Sequence, residues 1–308
     1  MSDPAIKESR RRLRRVQKHL AQAQLNLGTT REQSGLVNVI YHPTNQHALL
    51  NYVSPRKNTA WVPGPEIKKG LERLRALDRI PRVTYIEGLY PPLFAKTIRD
   101  LGMVVEREAA LMTYKVEGET PKDLQPVSLP KELRYEEVTT QEGNTLWWVV
   151  WRKAGTEAVS KSIEPLHLGR TVHEVKQGRR VDLILFRKNI PIGIIRLTLH
   201  EQTAHIVALA ILPTRRTPET VKLWYQVALY AALKRQSTLI FSSSPTEDEH
   251  QICRDLGFVD SGSTVCYVEV EKKTDKEKNK KEDSADEQMA QPVFVLRQNK
   301  PPKTSDSQ

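Results

Sequence analysis

The chain has 308 residues, of which 38% are hydrophobic and 28% charged, and its formal net charge is +11. This length suggests about two domains with tails, and the mean hydropathy of −0.53 indicates long polar segments beside a real core. No apolar run approaches the roughly 20 residues of a membrane span, and the charged N-terminus differs from a signal peptide, which favours a cytoplasmic protein. Two cysteines, Cys253 and Cys266, are too few for a disulfide scaffold and lack the CxxC spacing of a structural metal site.

Residues 1–28 predict a basic amphipathic helix. Apolar residues recur at spacings of three and four from Ile6 to Leu27, and Gly28 is a stop signal. The face opposite holds seven basic residues against two acidic ones, which gives +5 of the net charge: Lys7, Arg10, Arg11, Arg12, Arg14, Arg15 and Lys18. This face either binds an anionic partner, such as phosphates or an anionic membrane surface, or stays solvated above a helix that packs on its own protein.

Residues 29–116 alternate predicted strands and helices. The strands are expected at 36–43, 48–53, 58–63, 82–89 and 103–115, and the helices at 65–78 and 91–102. A polar segment that contains three prolines, 117–130, follows and is typical of an interdomain linker.

Residues 131–270 predict a second unit of the same kind. Its strands are expected at 132–138, 181–188, 191–199, 204–212 and 237–244, with a bent strand or hairpin at 258–270, and its helices at 140–154, around 157–163, at 218–235 and at 247–257. Pro-Glu opens a helix at 65 and again at 218, and Arg-Asp-Leu-Gly ends one at 99–102 and at 254–257, so the offsets are 153 and 155 residues. This agreement predicts a duplicated α/β domain with mixed sheets. Residues 271–308 are too polar to bury a core and are predicted to be a disordered charged tail.

The order of elements in 131–270 resembles that of the GNAT N-acetyltransferases. The most specific pieces are the hairpin VDLILFRKNIPIGIIRL, the passage HIVALAILPTRRTPETVKLW and the ending HQICRDLGFVDSG. The first unit resembles the family only from about residue 36 to residue 115 and is interpreted as a truncated or diverged copy. The resemblance implies an α/β (α+β) fold class with two GNAT-like domains, each a mixed, mostly antiparallel sheet flanked by helices.

The resemblance also implies acetyl-CoA, or another acyl-CoA, as a cofactor. In the family, the backbone of a splayed central strand pairs with the pantetheine arm, and amides of a glycine-rich turn bind the pyrophosphate. The positions that match the strand and the turn are Leu209, Ala210, Ile211, Arg215, Arg216, Thr217 and Thr220. Both glycine positions of the turn are replaced, one by Glu219, whose charge opposes a pyrophosphate, and one by Val221.

Two titratable residues are candidates for catalysis. The family uses a base on the central strand, often Glu, and an acid on the last helix, often Tyr, and the matched positions here hold Val207 and Cys253. His205 is either a base near the strand or a surface residue. Cys253 is either a reactive thiol or a buried packing residue.

A tryptophan pair and a basic loop are candidates for the acceptor-substrate cleft. Trp147 and Trp151 share one face of a predicted helix, where they form either an aromatic wall of the cleft or part of the core. The basic loop at 165–180 either covers this cleft, binds an anionic partner or is solvated.

Two functions stay open at this point. The first is transfer of an acyl group, such as acetyl, from acyl-CoA to an unidentified amine. The second is a catalytically inactive pair of GNAT-like domains that serves binding or scaffolding, which the replaced glycines and the missing Glu and Tyr favour. A nucleic-acid-associated protein is a third interpretation and depends on the basic helix alone.

Overall fold

The structure, a computed structural model, describes residues 4–56, 61–116, 124–154, 173–243 and 246–269. The chain divides into two compact units, Met1–Val270 and Glu271–Gln308. The second unit lies outside the described residues, as do the predicted helix around 157–163 and positions 165–172 of the basic loop.

The first unit contains both helices and strands along its whole length. The helices are α1 (Pro4–Asn26), α2 (Gly64–Ala76), α3 (Pro92–Asp100), α4 (Gln141–Ala154), α5 (Pro218–Leu233) and α6 (Glu247–Asp255). The strands are β1 (Thr30–Ser34), β2 (Val37–Tyr41), β3 (Tyr52–Pro55), β4 (Arg82–Ile86), β5 (Met103–Lys115), β6 (Leu133–Glu137), β7 (Arg180–Arg187), β8 (Ile190–His200), β9 (Thr203–Ile211), β10 (Leu239–Ser243) and β11 (Val259–Glu269). The predicted mixed α/β fold class is confirmed.

All these strands join one sheet in the order β1-β2-β3-β4-β11-β5-β10-β9-β8-β7-β6. Neighbours are antiparallel except for β3 with β4 and β9 with β10, which are parallel. The last strand of each half of the chain pairs with the other half. β5, the last strand before residue 116, pairs with β10, and β11, the last strand of the second half, pairs with β4. The segment predicted as a linker, 117–130, therefore connects two stretches of chain that share a single sheet.

The sheet is covered by helices on both faces. On β10, Leu239 and Phe241 contact α1, whereas Ile240 between them belongs to the core under α5. Because side chains alternate along a strand, α1 and α5 lie on opposite faces. Helix α4 shares the face of α1, and α2, α3 and α6 share that of α5.

Local side-chain bonds explain one difference from the predicted elements. Residues Ala48–Leu50 form a 3-10 turn instead of the start of a strand. The imidazole of His47 accepts from the backbone amide of Leu49 at 3.2 Å, and the side-chain Nδ2 of Asn51 donates to the carbonyls of Asn45 and His47 at 2.8 and 2.9 Å. Such bonds compete with a sheet ladder, so β3 begins only at Tyr52.

Two further differences concern strands, and a third strand settles an alternative that the sequence left open. Strand β1 was not predicted because its sequence, TREQS, is polar, and it pairs with β2 alone at the edge of the sheet. Residues 61–63 of the strand predicted at 58–63 are not in a strand, and 57–60 lie outside the described residues. The ending 259–269 is one strand with register shifts against β5, and no hairpin forms within it.

Candidate functional site

The sheet opens between β9 and β10. These parallel strands pair only from Thr203 to Ile206, opposite Leu239 to Ser242. Beyond that point β9 runs on to Ile211 and pairs with β8. Val207 lies at the opening and is 46% exposed. The second half therefore contains the splayed strand pair that the sequence resemblance implies.

The three strand candidates lie along the open part of β9. Leu209, Ala210 and Ile211 pair with Ile195, Ile194 and Gly193 of β8. On the side that faces β10, the backbone of these three residues is not paired, because the pairing with β10 ends at Ile206. Strand β8 lies close to this part of β9, since a Cβ added at Gly193 would be 3.0 Å from the Ala210 carbonyl oxygen.

In the turn before α5, several backbone amides donate hydrogen bonds to acceptors in the same turn. The Arg215 and Arg216 amides donate to the carbonyls of Leu212 and Pro213 at 2.8 and 3.4 Å. Thr217 caps the helix, because its Oγ1 accepts from the Thr220 amide at 3.2 Å and its carbonyl accepts from the Val221 amide at 2.9 Å. Pro218 has no amide to donate. The amides of Arg215, Arg216, Thr220 and Val221, which could otherwise face a pyrophosphate, thus have acceptors within the turn.

Glu219 adds a carboxylate to this helix N-terminus. Its own backbone amide and the Thr217 hydroxyl donate to it, and these two bonds lower the pKa of Glu219. A helix N-terminus stabilises a nearby negative charge. At the N-terminus of α5 the Glu219 carboxylate supplies that charge, where an external anion such as a pyrophosphate would otherwise bind.

The two arginines of the turn differ in their partners. The Arg216 Nη2 donates to Oε1 of Glu249 at 2.8 Å. The other carboxylate oxygen of Glu249 accepts from the Tyr225 hydroxyl at 3.3 Å and from the Thr246 amide at 3.2 Å, so Arg216 joins the cap of α6. Arg215 is exposed.

His205 is buried, not on the surface. Its ring stacks on Phe241 with centroids 4.2 Å apart, and its Nε2 lies 2.8 Å from the Ser243 Oγ. Burial, and then the charge of His19, lower its pKa well below the usual value. The imidazole is therefore neutral at pH 7 and lies beneath α1. The bond to Ser243, at the end of β10, was not predicted, because only the fold brings these two residues together.

Cys253 belongs to the core between α5 and α6. Its side chain is fully buried, and burial raises the pKa of the thiol to about 12. A thiol in this environment is not a nucleophile at neutral pH.

The tryptophans of α4 cover a buried ion pair. Trp147 is 1% exposed, and its Nε1 donates to the Ile195 carbonyl at 2.9 Å. Trp151 stacks on Trp147 with centroids 5.9 Å apart and stays 39% exposed. The Arg196 guanidinium lies 4.0 Å from the Trp147 ring centroid and binds Asp182 through two hydrogen bonds of 2.8 and 2.7 Å. Trp147 therefore packs in the core, and Trp151 presents a partly open edge.

The first half has an equivalent turn at the N-terminus of α2. Strands β3 and β4 pair at a single position, Val53 with Val83. Glu66, at the N-terminus of α2, accepts from the Leu36 amide at 3.2 Å and pairs with Lys69. These bonds, that of Lys69 first, lower the pKa of Glu66.

A cavity of about 330 Å³ lies elsewhere, between α1 and the first half of the sheet. Its lining includes Gln17, Leu20, Leu25, Arg31, Asn38, Ile40, Tyr52, Ser54, Thr84, Ile86, His200 and Thr264. No pattern in the sequence indicates this cavity, because its walls come from elements that are distant along the chain. Within the described residues, no three His, Cys, Asp or Glu side chains are placed to hold a metal ion. None of the described helices is long and apolar enough to cross a membrane.

The chain is similar to solved structures of N-acetyltransferases. No protein-family model matches it, and no curated protein is similar to it in sequence. A GCN5-related N-acetyltransferase from Kribbella flavida superposes with a TM-score of 0.62 at 17% identity and covers 83% of this chain and 95% of its own. A tandem GNAT protein from the clavulanic acid biosynthesis pathway gives a TM-score of 0.54 at 12% identity, with 78% of this chain and 82% of its own covered. A GCN5-related N-acetyltransferase from Sphaerobacter thermophilus gives 0.51 at 10% identity, with 75% and 79% covered.

The chain therefore has the GNAT fold. At these identities the similarity describes the fold, and the chemistry depends on the residues at the β9–β10 opening.

Proposed function

We propose that this chain is a GNAT-fold binding protein that does not hold acyl-CoA at the turn before α5 and does not transfer an acyl group from it. The observation that carries the proposal is the internal bonding of the turn. The amides of Thr220 and Val221 donate to Thr217, and the Glu219 carboxylate lies at the helix N-terminus. A pyrophosphate would have to displace these bonds and would meet a like charge.

The candidate catalytic residues support the same conclusion. Val207 carries no proton to exchange, the Cys253 thiol is buried, and the His205 ring is enclosed by Phe241 and α1. A general base has to reach the attacking amine within hydrogen-bond distance, directly or through one water.

The acyltransferase is the second candidate, and the opening between β9 and β10 favours it. In this alternative, the backbone of Leu209 to Ile211 holds the pantetheine arm of acetyl-CoA, and the exposed Arg215 binds a phosphate. An unidentified amine then attacks the thioester carbon, the C–S bond breaks, and CoA leaves as the thiol. Such a protein would be cytoplasmic, as the sequence predicts.

Calorimetric titration of the full chain with acetyl-CoA and with CoA separates the two candidates. We expect no heat up to millimolar ligand for the unchanged protein. Glu219→Gly/Val221→Gly, which restores both glycines of the turn, is expected to gain measurable binding. The matched control is Glu66→Gly/Lys68→Gly, at the equivalent positions of α2, which should gain none. Micromolar binding by the unchanged chain would overturn the proposal and favour the acyltransferase.

A further inference from the structure

The exposed face of α1 forms a basic groove. Its lining residues are Lys7, Arg10, Arg11, Arg14, Arg15, Lys18 and Glu201, which surround an open volume of about 620 Å³. Two of these cations hold the helix in place. Arg15 Nη2 donates to the Gln202 carbonyl and to the Thr238 Oγ1 at 2.8 Å each, and Lys18 pairs with Glu201. The single carboxylate of the groove is thus already neutralised.

Four other cations of the groove face solvent. Lys7, Arg10 and Arg14 are exposed, and no carboxylate among the described residues lies within ion-pair distance of them. Arg11 is 3.9 Å from Glu8, but its side chain is 80% exposed, and Glu8 is also shared with Lys115 at 2.9 Å. Because exposed ion pairs are weak, Arg11 stays available to an external anion.

The cations follow the helix at intervals of about one turn. From Lys7 to Lys18 the helix rises by about 16 Å, at about 1.5 Å per residue. One strand of a nucleic-acid duplex carries about five phosphates over that length, at about 3.4 Å per phosphate along the axis. The row of charge therefore fits a linear polyanion.

Two other anionic partners fit less well. Insertion into a membrane needs a free apolar face, but Leu13 and Val16 are buried against Leu239 and Phe241 of β10. The charged tail 271–308 holds nine basic and eight acidic residues, so it offers no net negative charge to the groove.

We propose that the basic groove binds the phosphodiester backbone of a nucleic-acid duplex without reading its sequence. No aromatic residue lines the groove, so base stacking makes no contribution. The inference is independent of the turn before α5, because α1 and α5 lie on opposite faces of the sheet.

Fluorescence anisotropy of the full chain with labelled DNA and RNA duplexes of about 20 base pairs tests the inference. Four phosphate contacts predict a slope of log K against log salt of about −3.6, which is a loss of about 100-fold between about 50 and 200 mM salt. Arg10→Gln/Arg14→Gln should halve this slope and weaken binding at low salt by at least about 10-fold. Lys68→Gln/Lys222→Gln removes the same charge from exposed positions of α2 and α5, and it should bind like the unchanged protein.

Equal loss of affinity in both double variants would overturn the proposal, because net charge alone would then explain binding. Absence of duplex binding at low salt would overturn it too, as would exclusive binding to vesicles of phosphatidylcholine with phosphatidylserine. Binding to either duplex that is lost only in the α1 variant would support it. Melting temperatures of the variants within about a degree of the unchanged protein would show that all three are folded.

Discussion

At the scale of single residues, two histidines are shielded from water: His19 on the inner side of α1 and His205 on β9 beneath it. His19 is fully buried, its Nε2 lies 2.9 Å from the Thr198 Oγ1, and its ring centroid is 5.9 Å from that of His205. Burial, and then the charge of His200, lower the pKa of His19 to about 4. His19 and His205 are therefore both neutral in the folded protein at pH 7.

The buried histidines predict a loss of stability in mild acid. Below about pH 6.5, the ordinary pKa of histidine, the unfolded chain takes up protons that folded His19 does not accept, so the free energy of unfolding decreases as the pH falls toward about 4. His19 alone accounts for about 3 kcal/mol over that range. Urea unfolding at the two ends of the range should show a smaller decrease for His19→Gln than for the exposed control His173→Gln. Equal decreases in both variants would contradict this assignment.

The buried pair of Asp182 and Arg196 predicts a strong dependence of each residue on its partner. The Asp182 side chain is fully buried, and that of Arg196 is 10% exposed. Arg196→Leu leaves a carboxylate in the core and should lower the free energy of unfolding by about 3–5 kcal/mol. Asp182→Leu/Arg196→Leu should recover most of this loss. Thermal unfolding in which the double variant is no more stable than the single one would show that the pair is not the cause.

At the scale of elements, α1 is part of the core as well as a charged surface. Leu13 and Val16 pack with Ile86, Leu111, Leu239 and Phe241, which come from both halves of the chain. Sequence reasoning predicted this helix nearly to its ends, because spacings of three and four need no tertiary information. The sequence did not predict which part of the sheet the apolar face of α1 covers. That surface is formed by β4, β5 and β10, which are brought together by the pairing of the two halves.

The packing of α1 predicts opposite results for two substitutions on the same helix. Leu13 is 1% exposed, whereas Ile6 is 51% exposed. Leu13→Ala should reduce the free energy of unfolding by about 2–5 kcal/mol, because it leaves a cavity beneath the helix. Ile6→Ala should change it by less than about 0.5 kcal/mol. Similar losses in chemical denaturation for the two variants would argue against this docking of α1.

At the scale of the whole molecule, the exchange of β5 and β11 ties the two halves together. β10 has β5 as its neighbour, and β11 lies between β4 and β5, so strands of the second half depend on strands before residue 116. The repeat of Pro-Glu and Arg-Asp-Leu-Gly indicated the duplication. It did not indicate the exchange, because pairing between strands more than about 120 residues apart leaves no local pattern in the sequence.

The exchange predicts that residues 131–270 do not fold alone. Without β4 and β5, the fragment exposes the edge of β10 and both edges of β11. We expect it to aggregate or to lack cooperative unfolding, and co-expression with residues 1–130 should restore a soluble complex. A fragment that unfolds cooperatively as a monomer would show that the exchange is not needed for the fold.

The candidate site shows where prediction from sequence ends. The missing glycines and the charge of Glu219 could be read from the sequence, since both depend on residue type alone. The cap by Thr217 and the pair of Arg216 with Glu249 could not be, because they depend on rotamers and on the position of α6. For the same reason the sequence favoured a surface position for His205, and this prediction was wrong, because His205 stacks on Phe241 in the core.

Hydrogen exchange at the amides of Glu219, Thr220 and Val221, with and without millimolar CoA, tests the central claim most directly. Our account predicts the same exchange rates in both conditions, because these amides already have acceptors within the turn. Slower exchange with CoA, confined to these amides and the open part of β9, would contradict it, because the pyrophosphate would then displace the internal bonds.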